Sequence, residues 1–326
     1  MIISRTPLRV SFFGGGSDLP AYYRQHGGAV LSTAIDKSVY VTVSQKFDDA
    51  VRVSYSRTEE VARASSVEHP LVREALVMLG IEGGIEITSV ADIPATGTGL
   101  GSSSSFTVGL LNALHAYCGR HATATDLAQE GCRIEIERCG EPIGKQDQYA
   151  AAFGGFNFIR FHPDETVEVK KAVCPRNVLD DLQSRLLFFY TGITRSASAL
   201  LQAQSAKVAR QGEKSDATGE LVRLAETAFG ELCAGKIETF GPLLHEAWQI
   251  KRQLTDGVTN SVIDEAYRAA TEAGAEGGKI LGAGGGGFLM FFAPRERHDA
   301  IRGALHRLRE TPFAFAPHGS SIIFVH

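Results

Sequence analysis

A glycine- and serine-rich segment, TGTGLGSSSS at residues 96–105, constrains the fold more than any other part of this chain. It stands between a β-branched run at Ile85–Val90 and a largely apolar stretch at 102–118 that is typical of a buried helix. Alternate glycines let the backbone bring bare N–H groups close to a ligand, and a helix beginning at the serines directs its positive dipole end to the same place. The segment therefore predicts an anion site, most simply for phosphate. The alternative is a flexible linker, which would not separate two buried elements.

The segment departs from the patterns of two common types of phosphate-binding loop. No Gly-Lys-Ser or Gly-Lys-Thr follows the glycines, which argues against a P-loop. The third glycine, Gly101, comes one residue too early for a dinucleotide fingerprint, and the chain shows no regular alternation of strands and helices. Both departures count against a dinucleotide-dependent oxidoreductase, the rival function from a different class.

Two further glycine-rich segments lie near the ends of the chain. Residues 5–18, RTPLRVSFFGGGSD, are a predicted strand that runs into a glycine turn and ends in a carboxylate. Residues 279–292, KILGAGGGGFLMFF, are a glycine turn between two predicted strands. Together with residues 96–105 they resemble the three motifs of the GHMP kinases, the superfamily of galactokinase, homoserine kinase, mevalonate kinase and phosphomevalonate kinase. Within it, the opening segment resembles that of the bacterial D-glycero-D-manno-heptose 7-phosphate kinases, a branch close to the fucokinase-like enzymes.

The order of predicted elements favours an α+β fold. Strands fill most of the first third of the chain, helices dominate from there to residue 273, and the end returns to strand, glycine turn, strand, helix and strand. Runs of strands followed by runs of helices indicate α+β architecture rather than a doubly wound sheet. The resemblance implies two domains: a ribosomal protein S5 domain 2-like domain at residues 1–180, which binds ATP, and a ferredoxin-like domain at residues 181–326. The active site would lie between them.

Composition and charge limit the classes of partner. The 326 residues are 44% hydrophobic and 21% charged, and the formal net charge of −4 comes from interspersed acids and bases, which counts against nucleic acid or an anionic membrane as a partner. No apolar run approaches the roughly 20 residues of a spanning helix and no signal-peptide pattern is evident, so we expect a cytoplasmic protein. Five scattered cysteines without metal spacing are expected to be reduced thiols. A homodimer is a candidate assembly.

The resemblance implies ATP and Mg²⁺ as cofactors. Its ATP-binding residues are those of the central loop: Gly97, Gly99, Leu100, Gly101, Ser102, Ser103 and Ser104. Ser103 matches the family's magnesium-binding serine, and Glu135, five residues before Gly140, matches its magnesium-binding glutamate. Helical spacing also puts Glu135 on a face of small residues, whereas Glu137 shares a charged, solvated face. The structural alternatives are a helix cap at Ser103 and a core glutamate paired with an arginine.

Two residues are predicted to carry the chemistry. Asp147, in the segment GEPIGKQDQ at 140–148, matches the family's catalytic base. Arg9 matches the basic residue that stabilises the ionised base and the charge on the transferred phosphoryl group. Both have structural alternatives, because an Asp in a first helical turn serves the helix dipole and an Arg on an edge strand is often a surface residue.

Other residues are predicted to hold the acceptor. Asp18 matches the carboxylate with which the sugar-kinase members bind substrate hydroxyls, and an ordinary turn residue is its alternative. Lys145 and Arg195 are the candidates for a distal phosphate on the substrate. The further substrate-binding candidates are Gly15, Gly16, Ser17, Gly284 and Gly285.

These residues predict a sugar kinase dependent on ATP and Mg²⁺. The expected reaction phosphorylates the anomeric hydroxyl of D-glycero-D-manno-heptose 7-phosphate, giving the 1,7-bisphosphate for nucleotide-activated heptose and surface polysaccharide. A fucokinase- or galactokinase-like sugar 1-kinase is the alternative within the class. The alternative outside it is a catalytically idle sensor that binds sugar and nucleotide, against which the presence of Asp147, Arg9, Ser103 and Glu135 counts.

Overall fold

The computed structural model describes residues 1–93, 97–194, 197–211 and 216–326. Its strands are β1 (Ile2–Phe13), β2 (Gly28–Gln45), β3 (Val51–Ser54), β4 (Thr58–Val61), β5 (Ile85–Ala91), β6 (Phe156–Phe161), β7 (Val167–Lys171), β8 (Leu186–Tyr190), β9 (Gly277–Ile280), β10 (Phe288–Phe292), β11 (Arg309–Glu310) and β12 (Ser321–Val325). Its α-helices are α1 (Pro20–His26), α2 (Pro70–Leu79), α3 (Ser102–Tyr117), α4 (Ala124–Cys132), α5 (Gln146–Phe153), α6 (Arg176–Ser184), α7 (Ala197–Gln211), α8 (Asp216–Cys233), α9 (Phe240–Lys251), α10 (Ser261–Glu272) and α11 (His298–Ala304). These elements confirm the predicted α+β class.

The larger sheet is built on the two long N-terminal strands. In the described chain it has eight strands, in the order β12-β1-β2-β5-β3-β4, with β6 paired to β2 and β7 to β6. Helix α3 packs on β1 and β2, so the apolar residues that follow the serines are buried against the sheet. This packing sets the beginning of α3 beside the end of β1.

The smaller sheet has the order β11-β8-β10-β9 within the described residues, and all of its pairings are antiparallel. Its strands are apolar on both faces, as a sheet between two layers requires: every residue of β10 is buried. One face packs with Trp248 and Tyr267 in a second core, while Phe188, Met290 and Phe292 join the main core. The two sheets therefore share buried contacts.

The chain crosses between the two sheets more than once. Strand β12, at the C-terminal end, pairs antiparallel with β1 in the larger sheet. The predicted domain boundary after residue 180 falls inside helix α6. The division into residues 1–180 and 181–326 stays a prediction.

Most element positions agree with the sequence, and the differences have local causes. The long strand β2 is continuous from Gly28 to Gln45, and its register with β1 shifts between Pro7 and Arg9. The helix that leads to Glu135 is α-helical only as far as Cys132 and continues as a π-helix at Arg133–Arg138. Helices α1 and α6 were missed; each begins at or next to a proline, in a short segment that a strand pattern surrounds.

The described helices include none that combines the length and the apolar character needed to cross a bilayer.

Candidate active site

The three glycine-rich segments meet around one cavity of about 530 Å³ between the two sheets. Its walls come from the end of β1 and the turn after it, the loop before α3, the start of α5, helix α7 and the turn between β9 and β10. Its lining includes Arg9, Gly15, Gly16, Asp18, Gly97, Gly99, Leu100, Gly101, Ser102, Ser103, Ser104, Glu135, Asp147, Lys251, Lys279 and Gly284. Most of the predicted site residues therefore lie in a single cleft.

Arg9 and Asp147 form a two-point ion pair on the wall of the cavity. Nε of Arg9 donates to Oδ1 of Asp147 at 2.7 Å and Nη2 donates to Oδ2 at 2.9 Å. The arginine side chain is 5% exposed and the aspartate side chain is 24% exposed. Asp147 thus remains accessible from the cavity, while the cation that holds it is buried. The remaining Nη1 donates to the carbonyl of Gly99 at 2.7 Å, which ties the pair to the central glycine loop. Such a fork fixes both groups in position and places a positive charge beside the carboxylate.

The central loop has the backbone of an anion cradle. Gly97, Gly99 and Gly101 all have positive φ angles, of 73°, 76° and 75°, which other residues adopt at a cost. Gly101 is the N-cap of α3, and the hydroxyl of buried Ser102 has no hydrogen-bond partner among the described residues. Thr96, the first residue of the motif, lies outside the described residues. Free N–H groups at a helix beginning are the basis of phosphate binding.

The late glycine turn presses directly on the central loop. A Cβ built on Gly99 would lie 2.5 Å from the carbonyl oxygen of Leu281, and one built on Gly282 would lie 2.5 Å from Cα of Gly99. Glycine is required on both sides because the two backbones touch. Gly284 lines the cavity, whereas the N–H of Gly285 is bound to the carbonyl of Val258 at 2.8 Å.

Glu135 lies at the floor of the cavity, in the π-helical segment. It is fully buried and Glu137 is exposed, as the helical sorting predicted. Oε1 of Glu135 accepts a hydrogen bond from Ser103 Oγ at 2.8 Å, and Oε2 accepts one from Gln148 Nε2 at 2.6 Å. Within the described residues no lysine or arginine forms an ion pair with this carboxylate. Burial raises the pKa of Glu135 to about 7, against the opposing effect of these hydrogen bonds.

The pair Ser103 and Glu135 fits a divalent cation. A buried carboxylate that neutral donors alone hold still requires a positive charge, and an adjacent hydroxyl supplies a second oxygen ligand. Mg²⁺ in phosphate-transfer sites takes one or two protein oxygens and completes its shell with phosphates and water. In the described chain no cluster of three or more His, Cys, Asp or Glu side chains could hold a metal ion.

Asp18 lies on the cavity wall beside the start of α5 and the glycine turn after β1. Its Oδ1 accepts from the backbone N–H of Gly16 at 3.0 Å and from Gln146 Nε2 at 3.1 Å, and its Oδ2 accepts from the Gln146 N–H at 3.2 Å. Burial, and then the charge of Asp147, raise the pKa of Asp18. Ser17 does not line the cavity, because its hydroxyl bridges the backbone of Ala29 and holds the turn.

The two candidates for a distal phosphate have different outcomes. The ammonium of Lys145 pairs with the carboxylate of Glu165 and lies 4.7 Å from the ring centroid of Tyr23. Lys145 is thus already neutralised and does not line the cavity. Arg195 lies outside the described residues.

Two buried lysines in the cavity were not identified from the sequence. Lys251 donates to the carbonyl of Gly282, and burial followed by the charge of Arg9 lowers its pKa to about 8. Lys279 donates to the carbonyls of Ser11 and Phe12, both at 2.9 Å, and its pKa is lowered well below the ordinary value by burial and by Lys251. The sequence did hold a signal for Lys251. This lysine continues the buried stripe of Leu244, Ala247 and Trp248 on α9, and lysines are rarely buried unless they have a partner or a function.

Two other residues at the cavity wall were also missed. Gln146 and Gln204 line the cavity near Gly15 and Gly16. Gln146 is adjacent to Asp147, and its position in the motif was a usable signal. Gln204 is on α7 in the second half of the chain, and nothing in its local sequence separates it from the other glutamines of that helix.

Comparison with known proteins agrees with this arrangement. The model of the GHMP kinases N terminal domain matches residues 63–155, and the model of the GHMP kinases C terminal domain matches residues 228–310. The matched segments cover more than half of the chain.

Several relatives share nearly the whole length. A D-glycero-alpha-D-manno-heptose 7-phosphate kinase of Campylobacter jejuni is 28% identical over 92% of each chain. The crystal structure of a D-glycero-D-manno-heptose 1-phosphate kinase from Bacteroides thetaiotaomicron covers 100% of both chains at 26% identity, with a TM-score of 0.82. The L-fucokinase/L-fucose-1-P guanylyltransferase of Bacteroides fragilis is 25% identical over 93% of this chain, which spans 35% of that protein.

Two family models across more than half of the sequence, together with a fold shared end to end with a solved kinase, show that this chain belongs to the GHMP kinases, enzymes that transfer phosphate from ATP with the help of a metal ion.

Proposed function

We propose that this protein is a sugar kinase that phosphorylates the anomeric hydroxyl of D-glycero-D-manno-heptose 7-phosphate, giving the 1,7-bisphosphate for nucleotide-activated heptose and surface polysaccharide. The observation that carries the proposal is the Arg9–Asp147 ion pair, which links the central glycine loop to the wall of the cavity that holds Asp18. A base with a fixed cation, a phosphate loop and a hydroxyl-binding carboxylate are the parts that phosphoryl transfer to a sugar requires.

Each part has a defined task in the transfer. Asp147 accepts the proton of the acceptor hydroxyl while that oxygen forms its bond to the γ-phosphorus of ATP. The bond between the γ-phosphorus and the bridging oxygen breaks, and its electron pair leaves on the β-phosphate of ADP. Arg9 holds the carboxylate in position and offers positive charge to the transferred group, and the N–H groups of the central loop hold the donor phosphates. Lys251 and Lys279 line the same cavity.

Ser103 and Glu135 would hold Mg²⁺. When bound, the ion neutralises charge on the ATP phosphates. Glu135 must be ionised for this task, and the metal supplies the positive charge that its buried site lacks.

In this proposal the recognition of the distal phosphate depends on Arg195 rather than on Lys145. Lys145 is paired with Glu165, so its removal breaks a partly exposed ion pair rather than a free phosphate ligand. Arg195 follows Thr194, which lines the cavity, and its part in the proposal rests on the sequence. We therefore expect Arg195→Ala to reduce the preference for a phosphorylated sugar by tenfold or more, and Lys145→Ala to change it little.

A substrate screen tests the proposal. ADP release is measured with heptose 7-phosphate, heptose 1-phosphate, unphosphorylated heptose, fucose, galactose and mevalonate, and ³¹P NMR identifies the phosphorylated position. We expect kcat/KM for heptose 7-phosphate to exceed that for free heptose at least tenfold, because a dianion gains one or more charge-assisted bonds of about 1.5–3 kcal/mol each.

Three results would change the assignment. Equal use of fucose or galactose would favour a fucokinase- or galactokinase-like enzyme, and turnover of heptose 1-phosphate would move the reacting hydroxyl away from the anomeric carbon. Binding of sugar and ATP without turnover would favour the idle sensor.

A further inference from the structure

Three polar side chains at the Asp18 end of the cavity have atoms without a partner. Oγ of Ser11, Oε1 of Gln146 and Nε2 of Gln204 are buried, and none has a hydrogen bond within the described residues. All three residues line the cavity. Buried polar groups are normally paired, and leaving one unpaired destabilises the protein. Three such atoms in one place indicate a site built for a ligand with hydrogen-bonding groups.

The three side chains surround the glycine turn after β1. A Cβ built on Gly15 would lie 3.9 Å from Ser11 Oγ and 4.0 Å from Gln146 Nε2. One built on Gly16 would lie 2.2 Å from Gln204 Nε2, so that amide lies directly against the turn. The unpaired atoms therefore converge on the turn that also binds Asp18.

The hydrogen bonds of Gln146 define what it offers. Its Nε2 donates to Asp18, which directs its Oε1 as a free acceptor. Ser11 adds a hydroxyl that is both donor and acceptor, and Gln204 adds an amide. Paired donors and acceptors without net charge match the hydroxyl groups of a polyol, each of which also donates and accepts. A phosphate is normally met by charged groups, whereas the unpaired side-chain atoms here are uncharged. Lys279 reaches this region, but its ammonium already donates to the carbonyls of Ser11 and Phe12.

We propose that Ser11, Gln146 and Gln204 form a neutral subsite that, together with Asp18, recognises the hydroxyl groups of a polyol acceptor. Gln204 has a particular part, because it is the member of this hydroxyl subsite that comes from the C-terminal half of the chain, on α7. Helix α7 packs against α1, which follows the Gly14–Asp18 turn. Acceptor recognition therefore requires both halves of the chain to be together. The inference deepens the proposed kinase function and rests on it for the identity of the acceptor.

Calorimetric titration of the full chain without nucleotide tests the subsite separately from catalysis. The probes are heptose 7-phosphate, unphosphorylated heptose, fucose and galactose. The variants are Gln204→Leu and Gln146→Leu, with Gln204→Glu, which keeps the volume and replaces the donor by an acceptor. Gln202→Leu is the matched control, since Gln202 is exposed on the same helix.

Each leucine variant should weaken the sugars that bind the wild type by about threefold to tenfold, the worth of a neutral hydrogen bond. The loss should be the same for heptose and for heptose 7-phosphate, and MgATP affinity should change less than twofold. Gln204→Glu should lower affinity while the melting temperature stays that of the Gln202→Leu control.

The alternatives give different results. Wild-type sugar affinity in both Gln204 variants would overturn the subsite, even if the enzyme phosphorylates heptose 7-phosphate. A loss confined to the phosphorylated sugar would show that Gln204 recognises phosphate, which also contradicts the inference. Sugar binding that depends on Gln204 without any turnover would support the subsite and refute the kinase proposal. If no sugar binds the wild type, both fail.

Discussion

The two carboxylates at the transfer end of the cavity, Asp147 and Glu135, are held by opposite kinds of partner. Asp147 is held by both arms of the Arg9 guanidinium and remains partly exposed. Glu135 is fully buried, and its two oxygens accept from neutral groups, among them Ser103 and Gln148. Of the two carboxylates, only Asp147 has a fixed positive charge beside it in the described chain.

Asp147 therefore belongs to an ion pair within the protein, whereas Glu135 belongs to a site whose positive charge must come from a bound ion. A buried carboxylate without a cation is costly in its ionised form, which is why burial raises the pKa of Glu135 to about 7. A carboxylate held by both arms of a guanidinium has a fixed position and a permanent positive charge beside it. Asp147 therefore has its positive partner before substrate binds, whereas Glu135 gains one when Mg²⁺ binds.

The largest effect is expected at Asp147. Asp147→Asn keeps the volume and loses the proton acceptor, so kcat should fall by about 10²–10⁴-fold. Steady-state kinetics and ATP binding should show that the nucleotide still binds. Near-normal turnover in this variant would remove Asp147 from proton transfer and erase the proposed distinction between the two carboxylates.

The pH dependence of stability should separate Glu135 from the exposed acids. Its pKa of about 7 in the folded chain lies above the ordinary 4.5, so the folded state holds a proton that the unfolded state has released between these pH values. The free energy of unfolding must then fall as pH rises from 4.5 to 7, by on the order of 3 kcal/mol for this group. Urea denaturation without Mg²⁺ or ATP, at pH 5, 6, 7 and 8, measures it.

Glu135→Gln should lack this part of the slope, whereas Glu137→Gln should retain it because Glu137 is exposed. Parallel pH profiles for wild type and Glu135→Gln would mean that the buried carboxylate has an unperturbed proton equilibrium.

Metal dependence should change less than the rate does at Asp147. Glu135→Gln should raise the Mg²⁺ concentration for half-maximal rate by about 10–100-fold, as expected for the loss of one charged ligand bond. In the wild type this concentration should decrease as pH rises towards 7, because the proton on Glu135 competes with the metal. Kinetic titrations with Mg²⁺ at several pH values measure both effects. An equal shift in Glu137→Gln would contradict the assignment of Glu135 as a ligand.

The smallest effect is expected from a substitution that crowds the ion pair of Arg9 and Asp147. A Cβ on Gly101 would lie 3.3 Å from both Arg9 Cγ and Asp147 Oδ2, at a φ of +75° that already strains any other residue. Gly101→Ala should lower kcat/KM for ATP by about five- to tenfold, from roughly 1 kcal/mol of strain or more. Gly119→Ala is the control, since its φ is +68° and no atom lies within 4 Å of the added Cβ. If both variants behave alike, contact with the ion pair is unimportant.

Much of the site was predictable because its motifs are local. Residue spacing and the resemblance to a family predict the three glycine segments with their turns, the positions of Arg9 and Asp147, and the buried face of Glu135. Lys251 also had a signal, in the apolar stripe of α9. Lys279 and Gln204 had none, because the carbonyls of Ser11 and Phe12 and the turn at Gly16 reach them from more than 180 residues away in the chain.

The sequence by itself determined most of the order of strands and helices, the glycine turns and the chemistry of the phosphate loop, since these depend on backbone freedom and on periodicity over a few residues. Only the tertiary structure decided which polar groups have partners. It paired Lys145 with Glu165 away from the cavity, and it left Gln146 and Gln204 with unpaired atoms inside the cavity. The physical reason is that burial and hydrogen-bond satisfaction are properties of surfaces brought together from distant parts of the chain.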